Sequence, residues 1–478
     1  MIIALLSKVC WFLNILYYLI HKSTHPMNIV RKSVLNTLLL ILITCFTVSA
    51  QADISPSTAL KRYLENGDKN YKWEVKETFE VAEVTVYNLL LTSQKWRESI
   101  WTHQLTVMIP KGANYDAALL FITGGSIDQQ GQPNWSSKAN GELLGMGMIA
   151  KQNKAVVAVL KQTPNQPLYN NLTEDALISF TLHNFKKDGD YSWPLLFPMV
   201  KSATTAMTAV QEVIQDKLKL KINRFVVSGA SKRGWTTWLT AAVDKRVAAI
   251  APMVIDMLNM PVSMNYQVKV WKDYSPQIED YVKLGLVQDI GSGATNALTT
   301  MIDPYSYRKM LTIPKMIIMG TNDQYWPVDN IKNYYDSIPG QNLIHYVPNV
   351  GHNLGDGTEA LNSLSAFFGY TLAKQPYPIC KWTSSVSAKG VKVAIKATAD
   401  KLVDVIVWHA DSPDMDFRND KWQSTTLGIK QQATVERLEK FPPSGYRAFY
   451  VNLKYKDAKG GEYMESTRVF MTDTKRLY

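Results

Sequence analysis

The chain has 478 residues, which is long enough for two or three domains and a large hydrophobic core. Hydrophobic residues make up 46% and charged residues 19%, and this composition excludes an intrinsically disordered chain. The formal net charge of +11 falls to +7 without residues 1–52, and because the remaining charges are interspersed we expect no nucleic-acid partner.

The first 52 residues have the character of a leader. From Met27 the chain has a short basic segment, an apolar run over residues 34–48 and small residues after it. This order is typical of a secretory signal peptide, and cleavage after Ala50 or after Ala52 fits it equally well. The sequence therefore predicts an exported protein, periplasmic or secreted.

A second apolar stretch, residues 2–20, precedes Met27. Either translation starts at Met27, or this stretch is an uncleaved anchor and the only part of the protein that contacts a membrane. No later segment approaches the roughly 18 uninterrupted apolar residues of a transmembrane helix. Of three cysteines only Cys380 lies beyond the leader, so we expect neither a disulfide nor a cysteine-based metal site.

Between residues 106 and 350 short apolar runs alternate with helical patterns, the longest of which spans residues 198–218. Continuous apolar runs indicate strands covered on both faces, as in a parallel sheet flanked by helices. We predict an α/β fold with a doubly wound, mostly parallel sheet, preceded by antiparallel segments around residues 81–91 and 101–110. The predicted strands of the sheet are 117–123, 155–160, 224–228, 247–254, 315–319 and 342–347.

One strand leads into a candidate nucleophile. The segment R-F-V-V-S-G-A-S-K-R-G-W, which starts at Arg224, combines a buried strand, a tight turn at Ser231 and the start of a helix. A serine on such a turn is forced into an exposed, strained position. The pattern departs from G-x-S-x-G, because Gly234 comes one place late and Arg233 occupies the usual small position. We predict that Ser231 is the nucleophile. The alternative is that its side chain only caps the following helix.

A serine hydroxyl needs a base to take its proton, and the base needs a carboxylate to orient it. Asp323 and His352 each follow a predicted strand, and both come after Ser231 in the chain. The order serine, acid, histidine is the one this kind of fold requires. We predict His352 as the base and Asp323 as the orienting acid. Asp256, which follows an earlier strand, is the alternative acid.

Two further features belong to the predicted site. The oxyanion of the transition state needs preorganised N–H donors, and we assign this role to the amides of Gly125, in a loop after a strand, and Lys232, after the nucleophile. A simple turn is the alternative at Gly125. The segment 256–313 is rich in methionine and aromatic residues. It predicts a lid over a partly enclosed apolar pocket, and a cap that serves only packing is the alternative.

After about Pro376 the pattern changes to alternation of apolar and polar residues. This alternation recurs in residues 391–397, 403–407 and 449–455 and predicts a small β-sandwich. The predicted organisation is a leader over 1–52, an α/β domain over 53–375 that contains the lid 256–313, and a sandwich over 376–478.

The chain resembles a known family, the PhoPQ-activated pathogenicity-related proteins, which look like α/β-hydrolases. The resemblance covers nearly all of the chain beyond the leader, and it implies an α/β-hydrolase fold, regulation by a bacterial two-component system and an envelope or virulence context. It defines the substrate poorly. The motifs that carry it are Thr123-Gly124-Gly125, Pro164-Asn165-Gln166-Pro167-Leu168, Trp193-Pro194-Leu195, Pro198-Met199-Val200-Lys201, G-A-S-K-R-G-W around Ser231, Asp303-Pro304-Tyr305, Asp323, V-P-N-x-x-H ending at His352, Val407-Trp408 and Asp416-Phe417-Arg418.

We therefore expect an exported serine hydrolase that acts on an ester or peptide acyl bond of a small-molecule or peptide substrate, without metal or organic cofactor. The alternative is a catalytically silent binding or signalling protein on the same scaffold, and Arg233 favours it. A carbohydrate-active protein is a third interpretation, and it would expose Trp382, Trp408 and Trp422 on the sandwich. The sequence leaves the oligomeric state open.

Overall fold

The computed structural model describes residues 54–136, 141–288, 290–457 and 459–478. The predicted signal peptide and the stretch upstream of it lie outside the described residues. Ser55–Tyr478 group into one unit by their contacts. No helix in the described ranges is long and apolar enough to cross a bilayer.

A mixed sheet of nine strands carries the candidate site. The strands lie in the order β1-β2-β3-β5-β4-β6-β7-β8-β9. Pairing is antiparallel from β1 to β5 along this order and parallel from β5 to β9. The strands are β1 (Lys72–Val81), β2 (Val84–Trp96), β3 (Ser99–Pro110), β4 (Ala117–Ile122), β5 (Val156–Leu160), β6 (Arg224–Ala230), β7 (Val247–Met253), β8 (Lys315–Gly320) and β9 (Asn342–Val347).

Helices cover both faces of the parallel part. Alternate residues of one strand show this, because Leu120 packs into a core with α4 and α5, while Leu119 packs into a second core with α2 and α9. The predicted doubly wound α/β fold is therefore confirmed. The helices are α1 (Ala59–Leu64), α2 (Gly141–Asn153), α3 (Glu174–Asp188), α4 (Leu196–Leu218), α5 (Lys232–Val243), α6 (Met260–Trp271), α7 (Glu279–Lys283), α8 (Gly293–Ile302) and α9 (Thr358–Ala373).

Two elements differ from the sequence-based boundaries. Strand β1 was not predicted, since all ten of its residues are exposed or half-buried and the apolar signal is correspondingly weak. Its pairing with β2 holds it at the edge of the sheet. Helix α4 begins at Leu196, two residues before the predicted start, because Pro198 lies in its first turn, where proline costs the helix no hydrogen bond.

The carboxy-terminal region forms two antiparallel sheets, as predicted. One has the order β10-β11-β14, and the other has the order β13-β12-β15-β16 with β17 also paired to β15. Trp422 is buried, and Trp382 and Trp408 pack against the core as half-buried side chains, so none of the three is a fully exposed platform. The strands are β10 (Cys380–Ser387), β11 (Gly390–Ala397), β12 (Leu402–Ser412), β13 (Gln423–Thr426), β14 (Thr434–Glu439), β15 (Tyr446–Lys456), β16 (Glu462–Ser466) and β17 (Phe470–Thr472).

A segment of this carboxy-terminal region reaches the loops that follow β8 and β9. The Asn322 side chain donates to the backbone carbonyls of Phe417, Arg418 and Asp420. The Asn349 side chain exchanges two hydrogen bonds with the backbone of Trp422. Both loops are therefore anchored by residues distant in sequence.

Candidate active site

Ser231 stands on the turn between β6 and α5 with a strained backbone. Its φ is +58° and its ψ is −123°, a backbone conformation that residues other than glycine rarely adopt. The turn is held because the Ser231 amide donates to the Met253 carbonyl and the Ser231 carbonyl accepts from the Trp235 amide. The Ser231 side chain makes no capping hydrogen bond to α5, so its hydroxyl is not used as a helix cap.

Two glycines allow this turn, and their positions explain its unusual spacing. A Cβ on Gly229 would lie 2.8 Å from the Ile122 carbonyl oxygen. A Cβ on Gly234 would lie 2.8 Å from the Met253 carbonyl oxygen and 3.0 Å from that of Gly229. The first turn of α5 therefore passes closest to the sheet at Gly234, and that position is the one that must be small.

Arg233 occupies the position that is usually small, and its side chain has a structural role. Its Nε donates to the Thr163 carbonyl at 2.6 Å, and its Nη2 pairs with the Glu174 carboxylate at 2.6 Å. The guanidinium also lies against Gly124, where a Cβ would meet Nη2 at 2.8 Å. Arg233 thus fastens the turn to the start of α3 and to the loops after β4 and β5.

Ser231, His352 and Asp323 form one hydrogen-bonded chain. The His352 Nε2 lies 2.8 Å from the Ser231 Oγ, and the His352 Nδ1 lies 2.9 Å and 3.0 Å from the two carboxylate oxygens of Asp323. A carboxylate only accepts hydrogen bonds, so we assign the ring proton to Nδ1, which leaves Nε2 to accept from the serine hydroxyl.

The loop after β8 holds the imidazole in this orientation. Asp323 is buried, and one of its oxygens also accepts from the Tyr325 amide at 2.8 Å. The Tyr325 ring stacks on the His352 ring, with centroids 4.0 Å apart. The Gln324 side chain accepts from the His352 amide at 3.2 Å. Three consecutive residues after one strand therefore fix the carboxylate, the ring plane and the backbone of the histidine.

Asp256, the alternative acid, is not hydrogen-bonded to His352. It is only 3% exposed, and its Oδ1 has no hydrogen-bond partner among the described residues. Burial, with a smaller contribution from the charge of Asp323, raises the pKa of Asp256 to about 8. The structure therefore brings Asp323 to the imidazole and leaves Asp256 buried without a hydrogen bond to it.

The two amides predicted to bind the oxyanion lie next to the turn. Strand β4 pairs with β6, so the loop that contains Gly125 follows directly beside Ser231. Gly125 has a φ of +135°, and a Cβ there would lie 3.0 Å from the Gln162 side chain. Lys232 is the first residue of α5, where amides have no partner within the helix. Neither amide donates a hydrogen bond to another described residue.

A small apolar cavity of about 40 Å³ adjoins Ser231. The segment between β7 and β8, which contains α6, α7 and α8, supplies much of its wall. The apolar side chains around it include Trp235, Ile255, Met257, Met260, Met264 and Trp326. In the described part of the chain, no three His, Cys, Asp or Glu side chains come together as metal ligands.

One group of polar residues at this cavity was not predicted. Asp175, near the start of α3, pairs with the Lys232 Nζ at 2.6 Å and accepts from the Tyr281 hydroxyl at 2.9 Å. The Tyr325 hydroxyl lies 3.4 Å from the same carboxylate. No motif marks Asp175, since only tertiary packing brings α3 to the turn at Ser231.

Comparison with known proteins gives one curated relative and several solved structures. The chain is 27% identical over 450 residues to the autocrine proliferation repressor protein A of Dictyostelium discoideum, covering 87% of this chain and 90% of that one. It is similar to acetyl xylan esterase 1 of a Thermoanaerobacterium species (16% identity, TM-score 0.46, 66% of this chain and 93% of that one). It is also similar to an S-formylglutathione hydrolase of Agrobacterium tumefaciens (12% identity, TM-score 0.42, 63% and 99%).

The sheet order, the flanking helices and the strand-to-helix turn at Ser231 are those of the α/β-hydrolase fold. A family model matches residues 60–418, which is most of the chain. The resemblance found in the sequence is thereby confirmed, and the chain belongs to the PhoPQ-activated pathogenicity-related protein family.

Proposed function

We propose that this protein is an exported serine hydrolase that cleaves an acyl bond of a small-molecule or peptide substrate. The observation that carries the proposal is the hydrogen-bonded chain from Asp323 through His352 to Ser231, with 2.8 Å between Nε2 and Oγ. This distance lies within the hydrogen-bond reach that proton transfer requires.

The geometry supports a two-step mechanism. The Ser231 Oγ attacks the acyl carbon while the His352 Nε2 takes its proton, and Asp323 stabilises the imidazolium that forms. The imidazolium then gives the proton to the leaving group, and the acyl group remains on Ser231. A water molecule attacks the acyl-enzyme with His352 again as the base, which releases the acid and restores the serine.

The developing oxyanion would be bound by the amides of Gly125 and Lys232. Each preorganised donor of this kind contributes roughly 3–4 kcal/mol to the stabilisation of the transition state. The amide of Lys232 has the additional advantage of lying at the amino-terminal end of α5, where the helix dipole favours negative charge.

The cavity beside Ser231 favours a short, uncharged acyl group. A volume of about 40 Å³ corresponds to roughly three water molecules. Its walls are methionine, tryptophan and isoleucine side chains, and Asp175 is already neutralised by Lys232. These features fit an acyl group of a few carbons in either an ester or an amide.

Export and virulence context remain part of the proposal. The support for export is the basic segment, apolar run and small residues that begin at Met27. Regulation by a two-component system, with an envelope or virulence role, rests on the family's name. The membrane would be contacted only if the leader stays attached.

Arg233 was the residue that supported the alternative, a catalytically silent binding or signalling protein. That side chain is accounted for by its bonds to Glu174 and Thr163, which hold the turn without contacting His352. An arginine at this position is therefore compatible with a working triad, and we favour the hydrolase.

Labelling with a fluorophosphonate probe tests the proposal. We expect the purified mature protein to be labelled and the Ser231→Ala and His352→Ala variants to be unlabelled. Ser385→Ala, an exposed serine on β10, is the matched control and should be labelled like the wild type. A folded wild type that stays unlabelled, or labelling that survives in Ser231→Ala, would contradict the assignment of the nucleophile.

A second measurement separates esters from amides. The rates of hydrolysis of 4-nitrophenyl butyrate and of the matching 4-nitroanilide are compared under the same conditions. Hydrolysis of both would indicate a peptidase-like enzyme, and hydrolysis of the ester alone would indicate an esterase. Activity on neither substrate, in a protein that the probe does label, would restrict the proposal to an acyl group larger than the cavity suggests.

A further inference from the structure

The loop that carries Gly125 is held by the segment that follows β5. The Gln162 amide donates to the Gly124 carbonyl at 2.9 Å. The Gln166 Nε2 donates to the Gly125 carbonyl at 3.3 Å, and the Gln166 carbonyl accepts from the Ile127 amide at 2.7 Å. The peptide groups on both sides of the Gly125 Cα therefore each have their carbonyl bound to this segment.

These hydrogen bonds set the direction of the Gly125 amide. Strand β4 lies between β5 and β6, and the Gly124 carbonyl points to the β5 side. Because the C=O and N–H of a trans peptide point in opposite directions, the Gly125 N–H points to the β6 side, where Ser231 follows the strand. A glycine has many accessible conformations, and the φ of +135° at Gly125 is one that other residues rarely adopt. The bonds to both carbonyls therefore preorganise an amide that the glycine backbone alone would leave free to turn.

The Gln166 side chain belongs to a network that reaches the start of α5. Its Oε1 accepts from the Glu174 amide at 2.8 Å, and its Nε2 donates to the Glu174 Oε1 at 2.6 Å. These partners define which end of the Gln166 amide is the donor. The same Glu174 oxygen accepts from the Arg233 Nη2 at 2.6 Å, and Arg233 directly follows Lys232. One chain of hydrogen bonds thus connects Gly125 with the residue next to the second proposed oxyanion donor.

The two ends of this network are shielded from solvent. Gln166 is 5% exposed, and the Arg233 side chain is 11% exposed. Glu174, which joins them, has a φ of +49°, a left-handed conformation that costs free energy in a residue with a side chain. Hydrogen bonds to a carboxylate are stronger than those between neutral groups, and burial strengthens them further. The network can therefore hold both loops in one relative position while charge develops on a substrate.

We propose that Gln166 is a positioning residue of the oxyanion site, because it holds the Gly125 carbonyl and joins it through Glu174 to Arg233. This inference rests on the proposed function, since an oxyanion forms only if Ser231 attacks an acyl carbon. Gln166 acts on the transition state through the Gly125 amide. Its loss should therefore lower kcat and leave KM nearly unchanged.

This role also explains a motif that the hydrogen-bonded chain from Asp323 to Ser231 does not use. Gln166 is the central residue of Pro164-Asn165-Gln166-Pro167-Leu168. The motif lies directly after β5, beside the loop that follows β4. Its contacts with that loop and with the start of α3 assign it to the oxyanion side of the site.

Kinetics of the mature protein with Gln166→Met test the proposal, because methionine keeps the length of the side chain and removes its hydrogen bonds. On 4-nitrophenyl butyrate we expect kcat to fall roughly 10- to 100-fold, part of the loss seen when an oxyanion donor is removed. KM should change by less than about twofold. The pH at which kcat/KM is half-maximal should be the same as in the wild type, because Gln166 makes no hydrogen bond to His352.

Inhibition by 1,1,1-trifluoropentan-2-one is the second readout. The Ser231 Oγ adds to the carbonyl carbon of this ketone, the serine proton passes to His352, and the carbonyl oxygen becomes an oxyanion without a leaving group. Its inhibition constant should rise in Gln166→Met by about the same factor as kcat/KM falls. A purely structural defect would not produce this proportionality.

Matched variants complete the test. Gln130→Met, at an exposed position of the loop after β4, is the control and should behave like the wild type. Glu174→Gln should also lower kcat. The double variant Gln166→Met/Glu174→Gln should lose no more activity than the more damaging single variant, because both side chains act through one network.

Endpoint labelling by the fluorophosphonate probe verifies that each variant is folded with a reactive Ser231. If Gln166→Met does not fold, Glu174→Gln, which interrupts the same chain of hydrogen bonds, takes its place. An unchanged kcat in the labelled variant, or a lower kcat with unchanged affinity for the ketone, would overturn the positioning role and leave the proposed hydrolase intact. A folded wild type without labelling would overturn both.

Discussion

Asp175 connects three parts of the candidate active site through one carboxylate. Its oxygens contact the Lys232 ammonium beside Ser231, the Tyr281 hydroxyl in the predicted lid and, at 3.4 Å, the hydroxyl of Tyr325, whose ring stacks on His352. Because the ion pair with Lys232 is mostly buried, loss of the charge on either side leaves the other unpaired. Asp175 is thus a positioning residue in the proposed mechanism.

We expect Asp175→Asn to lower kcat by roughly tenfold, since a charge-assisted hydrogen bond of about 1.5–3 kcal/mol is replaced by a weaker one. The measurement is ester hydrolysis over a range of substrate concentrations. Tyr281→Phe is the control, because it removes only the lid's bond to Asp175 and should affect KM more than kcat. An unchanged kcat in Asp175→Asn would show that the carboxylate does not position the site.

Single substitutions also test whether Asp323 or Asp256 orients the imidazole. Asp323→Asn should lower kcat by roughly 10³- to 10⁴-fold, because an amide no longer holds the imidazole in the required tautomer. Asp256→Asn should keep most of the activity, since Asp256 makes no hydrogen bond to His352. The two variants, similar in chemistry, are compared in the same ester assay. A larger loss in Asp256→Asn would reverse the assignment.

The sequence was sufficient to predict the site residues that follow strands. It was insufficient to predict the residues that reach the site through tertiary packing. Ser231, Asp323 and His352 each stand at the carboxyl end of a parallel strand, so their chain order predicts that they converge. Tyr325 lies two residues beyond Asp323 and shares its loop, yet its stacking on the imidazole depends on side-chain rotation. Asp175 reaches the site through the packing of α3, which no local pattern encodes.

At the scale of elements, we expect the predicted lid, residues 256–313, to limit the size of the acyl group. Helix α6 contributes Met264, which is buried against the cavity, while Val262 on the same helix is 45% exposed. The flexible thioether side chains fill the space in which a longer acyl chain would lie. We therefore expect these methionines to limit the length of the acyl chain that the cavity can hold.

We expect acetyl and butyryl esters to be hydrolysed with a higher kcat/KM than the octanoyl ester. Met264→Ala should raise kcat/KM for the octanoyl ester at least several-fold relative to the acetyl ester, because it enlarges the cavity. Val262→Ala is the matched control and should leave the ratio unchanged. An unchanged ratio in a folded Met264→Ala would mean that the acyl chain lies elsewhere.

The elements themselves were predicted where burial leaves a clear pattern. Strand β9 has the predicted bounds 342–347, and β4 ends one residue early, because continuous apolar residues mark strands covered on both faces. The edge strand β1 was missed, since its residues K-W-E-V-K-E-T-F-E-V are mostly exposed. The short helices of the lid have no long periodic pattern, so the sequence predicted only that a lid exists.

At the scale of the whole molecule, the carboxy-terminal region supports the site. The residue before Asp323 is Asn322, and its side chain makes three hydrogen bonds to the segment 417–420. Those bonds hold the loop after β8 against a region almost 100 residues away. The segment between β12 and β13 is therefore connected by hydrogen bonds to the residue next to the proposed acid.

We expect Asn322→Ala to lower kcat several-fold with little change in KM, because the loop that bears Asp323 loses its anchor while the acyl cavity is unaffected. Steady-state kinetics on a short ester test this. Asn70→Ala, an exposed asparagine in the amino-terminal part, is the control and should behave like the wild type. Full kcat in a folded Asn322→Ala would show that the carboxy-terminal region has no part in positioning the acid.

Buried acids make the stability of the whole molecule depend on pH. Burial raises the pKa of Asp256 to about 8 and that of Asp303 to about 7, far above the value of about 3.9 in an unfolded chain. For each acid, the folded protein binds more protons than the unfolded chain at any pH between the unfolded pKa and the folded pKa. The contribution of each acid to the free energy of unfolding therefore falls as pH rises through that window. Each pH unit in this window removes about 1.4 kcal/mol per group.

Other buried groups make the free energy of unfolding rise with pH. The prediction therefore concerns the difference in the free energy of unfolding between a variant and the wild type. Burial lowers the pKa of His103 to about 4 and that of Lys315 to about 7, and both therefore favour folding as pH rises above those values. The Asp256→Asn variant keeps the contributions of His103, Lys315 and Asp303 and removes only that of Asp256. The free energy of unfolding of this variant should approach or fall below that of the wild type near pH 4 and exceed it increasingly up to about pH 8.

Urea unfolding at intervals from pH 4 to pH 9 measures this difference. Glu98→Gln, whose side chain is 98% exposed, is the control and should run parallel to the wild type. If Asp256→Asn also ran parallel, Asp256 would be ionised in the folded protein, and a counter-charge or water would have to reach its Oδ1. A difference that widens up to about pH 8 and then stays constant would instead establish that Asp256 is a neutral acid in the folded protein below that pH.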